Sequence, residues 1–276
     1  MLGIIIYVNY SYINNDASKY SWLQKFGISY FLYLVPFALA YLMQFIFYPS
    51  LVYFKNKWFG FLILSAPAFF AFRVNFYSFQ HYILQHFLAD KNIYWLAITN
   101  LFTKALLIMI PVAIIWWLKD RQEQNLYGFN KTINTKPYLI MVLLMLPLIA
   151  VASNNSEFLK QYPAAMNAVG DSLIFKKLDI LLFELCYAFD FLSIEFFFRG
   201  FLILAFIRLA GKHAIVPAAC FYCCIHLGKP MPEAISSFFG ALLLGIISYN
   251  TKSIWGGLII HIGIAGFMEL LAYMQH

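Results

Sequence analysis

Long apolar runs separated by short polar connections occupy most of this chain. A helix needs about 20 apolar residues to cross a bilayer. Runs of that kind fit Ile28 to Tyr48, Trp58 to about Phe79, and Tyr94 to Leu118. A fourth starts at Pro137, a residue type favoured in the first helical turn, and reaches about Ala152. The fifth, about Leu178 to Leu209, is longer than a bilayer requires and is expected to tilt or protrude. Ala214 to Leu227 is a short sixth run, broken by Gly228-Lys229-Pro230 before a seventh from Pro232 to Tyr249. A tight turn at Thr251-Lys252 leads into the eighth, Ser253 to about Tyr273. The segment from His81 to Asn92 is too short and mixed to cross and reads as interfacial. Asn154 to Lys177 is the longest polar connection. The pattern predicts an all-α, polytopic membrane helix bundle with about eight transmembrane helices. With no polar linker to divide it, the chain reads as a single membrane domain over 1–276.

Composition strengthens this picture. Charged residues make up 11% of the chain, against about 25% in soluble domains, which excludes an ordinary soluble enzyme. Aromatic residues make up 20%, and their rings are expected on lipid-facing surfaces and interfacial belts. The net charge of +7 comes from bases scattered over short loops. Without a basic stripe, the partner it implies is anionic membrane lipid, with no nucleic acid. The loop bases divide almost evenly between the two sides, with a slight excess that favours an outside N-terminus. Met1 to Tyr10 has neither a basic n-region nor a small-residue cleavage site, so no removable signal peptide is expected. Cys186, Cys220, Cys223 and Cys224 all lie in apolar segments and read as small packing residues. Cys220-x-x-Cys223 followed by His226 has the residue types of a metal site, but on one helix Cys223 and His226 share a face while Cys220 lies well round from Cys223, so the geometry is poor.

The candidate chemistry centres on Ile194-Glu195-Phe196-Phe197-Phe198-Arg199-Gly200. An ionisable residue at bilayer depth is costly and marks a functional site by default. Glu195 and Arg199 are spaced to share a helix face. His226 ends a short apolar run, and His261 lies inside the eighth. Glu195 is thirteen residues before Arg208 and His226 thirteen after His213, so each sits roughly 20 Å from the same membrane side. By the same rise, His261 lies roughly 12 Å in and Arg199 roughly 13 Å in. This arithmetic sets Glu195 level with His226, and Arg199 level with His261.

Such a cluster supports hydrolysis. A buried carboxylate can act as base to a water, with imidazoles orienting that water, stabilising an oxyanion or binding a metal. Arg199 would keep Glu195 ionised. The sequence holds no His-Glu-x-x-His helix, Gly-x-Ser-x-Gly elbow or Ser-x-x-Lys. Glu184, three turns before Glu195 on nearly the same face, is expected to line the same cavity. Glu233 can fold back towards His226 or serve as a charge complementing a helix N-terminus. Glu269 is expected at an interface, and Arg73 and Lys104 to snorkel or pair.

Glu195-x-x-x-Arg199-Gly200-Phe201, then Tyr222-x-x-x-His226, then His261 in an apolar span, resembles the CPBP intramembrane proteases. These include CAAX prenyl proteases and bacteriocin-processing or self-immunity proteins. The resemblance covers 178–274. It implies a peptide-bond hydrolase with Glu195, Arg199, His226 and His261 as catalytic residues and Tyr222 beside them; Glu184 and Glu233 are added to the substrate cavity by their spacing alone. It further implies a membrane-bound or lipidated peptide or protein as substrate, and a multi-pass location in a bacterial inner membrane. As a metalloprotease family it implies zinc, with His226 and His261 as its ligands. Two positions depart from the family pattern: Ile194 stands where the first of two glutamates is expected, and Ala265 where an asparagine is. They leave open a non-catalytic scaffold that binds a peptide, lipid or partner protein. A proton-relay transporter is a third reading, disfavoured because no inverted repeat is visible.

Overall fold

The computed structural model describes residues 2–12, 20–48, 53–76, 92–129, 134–169 and 176–275. Every regular element among them is helical. In chain order the α-helices are α1 (Leu2–Tyr12), α2 (Trp22–Phe47), α3 (Lys57–Asn75), α4 (Asn92–Ile115), α5 (Lys136–Ala152), α6 (Ser156–Gln161), α7 (Ala164–Val169), α8 (Lys176–Glu195), α9 (Ile207–Ala210), α10 (Ile215–Cys224), α11 (Met231–Thr251) and α12 (Trp255–Tyr273). Two stretches are π-helical, Trp116–Asp120 after α4 and Phe196–Ala205 after α8.

Five helical stretches are long and apolar enough to cross a membrane: Trp22–Phe47, Lys57–Asn75, Tyr94–Asp120, Met231–Thr251 and Trp255–Tyr273. The expected eight map onto these five and three lesser elements. Helix α5 has 17 residues and α10 has 10. The long fifth run becomes α8 followed by the π-helical segment. The interfacial segment expected from His81 lies outside the described residues.

The chain forms two compact units, each assembled from distant segments. The first comprises Met1–Asn75, Ile110–Asn130 and Phe196–Ile254. Its helix α2 begins with a capping box, in which Ser21 Oγ accepts from the Gln24 amide and Gln24 Oε1 accepts from the Ser21 amide. Helix α2 packs on α3 and α10, and α10 on α11. The interior is aromatic: apart from Arg199, every one of the largest fully buried side chains is Phe or Tyr. Tyr33 stacks on Phe221 at 5.1 Å, and Phe70 meets Phe198 edge-on at 5.5 Å. Phe31, Phe47 and Phe61 are exposed, as the expectation of lipid-facing rings requires, whereas the rings of this core are buried and depart from it. Between membrane helices, burial gains little over contact with lipid, so close packing decides, and rings pack well on rings.

The second unit comprises Phe76–Met109, Lys131–Glu195 and Trp255–His276. Here α5 lies in close contact with α12. A Cβ at Gly256 would stand 2.6 Å from the Tyr138 ring, and one at Gly263 2.8 Å from Val142 Cγ2. Glycine at both positions lets the two backbones approach, as small residues do between membrane helices. Helix α8 packs on α7 and α12, and the Tyr94 hydroxyl donates to the Asp179 carbonyl at 2.9 Å.

Candidate functional site

In the second unit, Glu195 is fully buried at the end of α8. His261 on α12 meets it, with Nδ1 3.1 Å from Oε1. The helix arithmetic accounts for the meeting. His261 lies two residues before Gly263, about 200° round the helix, so it points away from α5 while the glycine faces it. The Phe191 ring, one turn before Glu195, lies 4.3 Å from the imidazole and holds its plane. An ionised carboxylate only accepts, so Nδ1–H donates to Glu195, and the Nε2 of a neutral His261 carries the lone pair. Ile194 and Ala265, at the two positions that depart from the family pattern, are both buried.

In the first unit, the Arg199 guanidinium lies 4.6 Å above the Tyr222 ring and is almost wholly buried. A cation over an aromatic face is attracted by the ring quadrupole, more strongly when desolvated. The Tyr222 ring in turn lies 4.7 Å from the His226 imidazole. His226 Nδ1 is 2.9 Å from the Tyr222 carbonyl oxygen. A carbonyl only accepts, so Nδ1 is again the donor and Nε2 again carries the lone pair in the neutral ring. Both histidines are thus held in the same tautomer by an oxygen acceptor.

The structure therefore joins Glu195 to His261, and Arg199 through Tyr222 to His226. The depth arithmetic had set Glu195 level with His226 and Arg199 level with His261. It assumed α-helical rise throughout, whereas Arg199 lies in the π-helical segment that begins at Phe196.

The other expected residues fall as follows. Glu184 is half-buried on α8. Glu233 lies in the first turn of α11 with its carboxylate 4.0 Å from Lys229 Nζ, which matches the helix-terminus role. Lys229 is anchored further by the Tyr10 hydroxyl, which donates to its carbonyl. Arg73 is buried 5.2 Å over the Phe70 ring. Glu269 departs from its expected interface position. Its carboxylate is buried and accepts from the Ala164 amide at 2.8 Å and the Ala165 amide at 3.2 Å, capping α7. Its partners are backbone amides far off in sequence, and no side-chain spacing signals them.

The histidines, cysteines and carboxylates can be tested as metal ligands. A protein-held zinc needs at least three such donors together. Among the described residues no group of three or more His, Cys, Asp or Glu could hold a metal ion. The Cys223 thiol is occupied with the Ala234 carbonyl at 3.1 Å. Within each unit the donors do not assemble a zinc site, and His226 and His261 belong to different units.

Residues 177–267 match the family model described as Rce1-like, the type II CAAX prenyl endopeptidases. The match is consistent with a CPBP family protease. It covers a third of the chain, from α8 into α12, and includes Glu195, Arg199, Tyr222, His226 and His261. No curated protein and no solved structure matches the chain. The family match and the five apolar helices together make this a multi-pass integral membrane protein. The family supports a protease, and so a hydrolase.

Proposed function

We propose that the chain is an intramembrane endopeptidase that cleaves a membrane-bound or lipidated peptide in a bacterial inner membrane, with Glu195 activating the water. The observation that carries the reading is the fully buried Glu195 carboxylate bonded to His261, within the segment that matches the endopeptidase family. A carboxylate that fixes an imidazole tautomer and stabilises its protonated form is the orienting arrangement of many hydrolytic sites.

In the proposed reaction the Glu195–His261 pair acts as the base and accepts one proton from water. The water oxygen bonds to the scissile carbonyl carbon and the carbonyl becomes an oxyanion. The carbon–nitrogen bond then breaks, and the proton passes from the pair to the departing amine nitrogen. The products are a carboxylic acid and an amine. His226 and Arg199, which the family match also spans, are assigned to the same reaction.

The test is cleavage of a membrane-embedded peptide by purified protein. Glu195→Gln keeps the shape of the side chain and removes its basicity, and His226→Ala removes the imidazole. Each should lower kcat about 10²–10⁴-fold, the span of general acid–base catalysis, while the protein still inserts and folds. Undiminished cleavage by both variants would sink the proposal. Peptide binding by the wild-type protein without hydrolysis would favour the scaffold reading that Ile194 and Ala265 suggest.

A further inference from the structure

The polar loop after α4 is read from sequence as a connection and no more. In the structure it is fastened along the π-helical segment that carries Arg199. Gln124 Nε2 donates to the Leu204 carbonyl at 3.4 Å, and Trp116 Nε1 donates to the Gln124 carbonyl at 2.9 Å. The Gly128 carbonyl accepts from the Ile254 amide at 3.2 Å. The Phe129 ring meets Phe196 at 5.4 Å, and Tyr127 faces Phe201 at 5.9 Å. Contacts therefore fall at 196, 200, 201 and 204, along the whole length of the segment.

Tyr127 is the centre of this fastening. It is fully buried and holds φ of 33° and ψ of 58°, a left-handed conformation that a residue with a Cβ rarely adopts. Such strain persists only where the surroundings over-determine it. Its hydroxyl donates to Asp120 Oδ2 at 2.5 Å, and Asp120 Oδ1 accepts from Arg208 at 3.3 Å. Arg208 also reaches Glu123 at 2.5 Å. The left-handed turn delivers the Tyr127 carbonyl oxygen to Gly200, where an added Cβ would stand 2.7 Å from it. Gly200 directly follows Arg199, and the Arg199 guanidinium rests on Tyr222, which holds His226.

We propose that Tyr127 is a positioning residue for His226. Its turn, seated on Gly200, sets the rotation of the π-helical segment that lays Arg199 over Tyr222. The proposal rests on the reading that His226 acts in peptide cleavage. It gives the Arg199-Gly200 step a mechanical reason: the arginine makes the stack, and the glycine admits the strap that aims it.

The experiment uses the full-length protein with isotope-labelled histidine. The His226 ring resonance is identified by its disappearance in His226→Gln. Gly200→Ala drives a Cβ into the Tyr127 carbonyl, and Tyr127→Phe removes the bond to Asp120. Gly240→Ala is the control, because a Cβ there meets nothing within 4 Å. Gly200→Ala is expected to move the His226 resonance and lower kcat about 100-fold, as a misplacement of about 1 Å can, with KM little changed. Tyr127→Phe is expected to do the same to a smaller degree and carries the test alone if Gly200→Ala does not fold. A His226 resonance and kcat that match Gly240→Ala in both variants would overturn the proposal. If the wild-type protein hydrolyses no peptide, the protease reading falls, and the resonance still decides: a shift supports the strap and its absence refutes it.

Discussion

Single residues settle several questions that composition leaves open. Glu269 is a carboxylate at the far end of α12, and it caps α7 through two backbone amides. Glu269→Ala leaves both amides without that acceptor and should cost about 1–3 kcal/mol, the range for a stranded buried donor, read as a lower melting temperature in detergent. Cleavage kinetics of the folded fraction should be unaltered, because this carboxylate serves a helix end. His213, in the turn before α10, lies 2.9 Å from Gln44 Oε1. Burial, and then the neighbouring Lys212 charge, lower its proton affinity. The folded state therefore favours the neutral ring. That contribution is complete above the unfolded value of about 6.5 and is lost as pH falls below it. Stability measured from pH 8 down to 5 should decline, and His213→Gln should flatten the decline. An unchanged slope in that variant would assign it to other groups.

At the scale of elements, the seam between α5 and α12 carries the sharpest expectation. Gly256 and Gly263 have no room for a side chain against Tyr138 and Val142. Gly263→Val should destabilise by about 1–3 kcal/mol through overpacking, whereas alanine at Gly60, where a Cβ meets nothing within 4 Å, should be neutral or better. Thermal unfolding of the two variants side by side distinguishes them. Elements also show what could be read in advance. The apolar runs located α2, α3, α11 and α12, because a span's length is set by the bilayer and written directly in hydropathy. Pro137 marked the start of α5 correctly. The residues of the site were legible as charges and imidazoles in apolar sequence. The contacts they make within each unit, Glu195 with His261 and Arg199 over Tyr222, were not, because the faces beyond Glu195 depend on where α-helix gives way to π-helix, at Phe196. A π-turn bonds residue i to i+5, so an α-helical wheel drawn through Glu195 no longer predicts faces beyond it. Nor did hydropathy tell the buried Phe core from the lipid-facing rings, since both read as equally apolar.

Across the whole molecule, the donors that would bind a metal are dispersed among the described residues. Cleavage, once measured, should therefore not depend on a zinc held within either unit, which dialysis against a strong chelator and re-addition of zinc checks. Loss of activity that zinc restores would require a donor set other than the one described. The seam between α5 and α12 bears on the molecule as a whole too. His261 keeps its heading towards Glu195 because the opposite side of the same helix is flush against Tyr138 and Val142. A saturation screen scored by substrate turnover would then return two kinds of dead variant. One kind would map to the polar residues themselves. The other would trace a stripe of glycines and their opposing side chains, inert in chemistry, whose replacement turns His261 off its bearing.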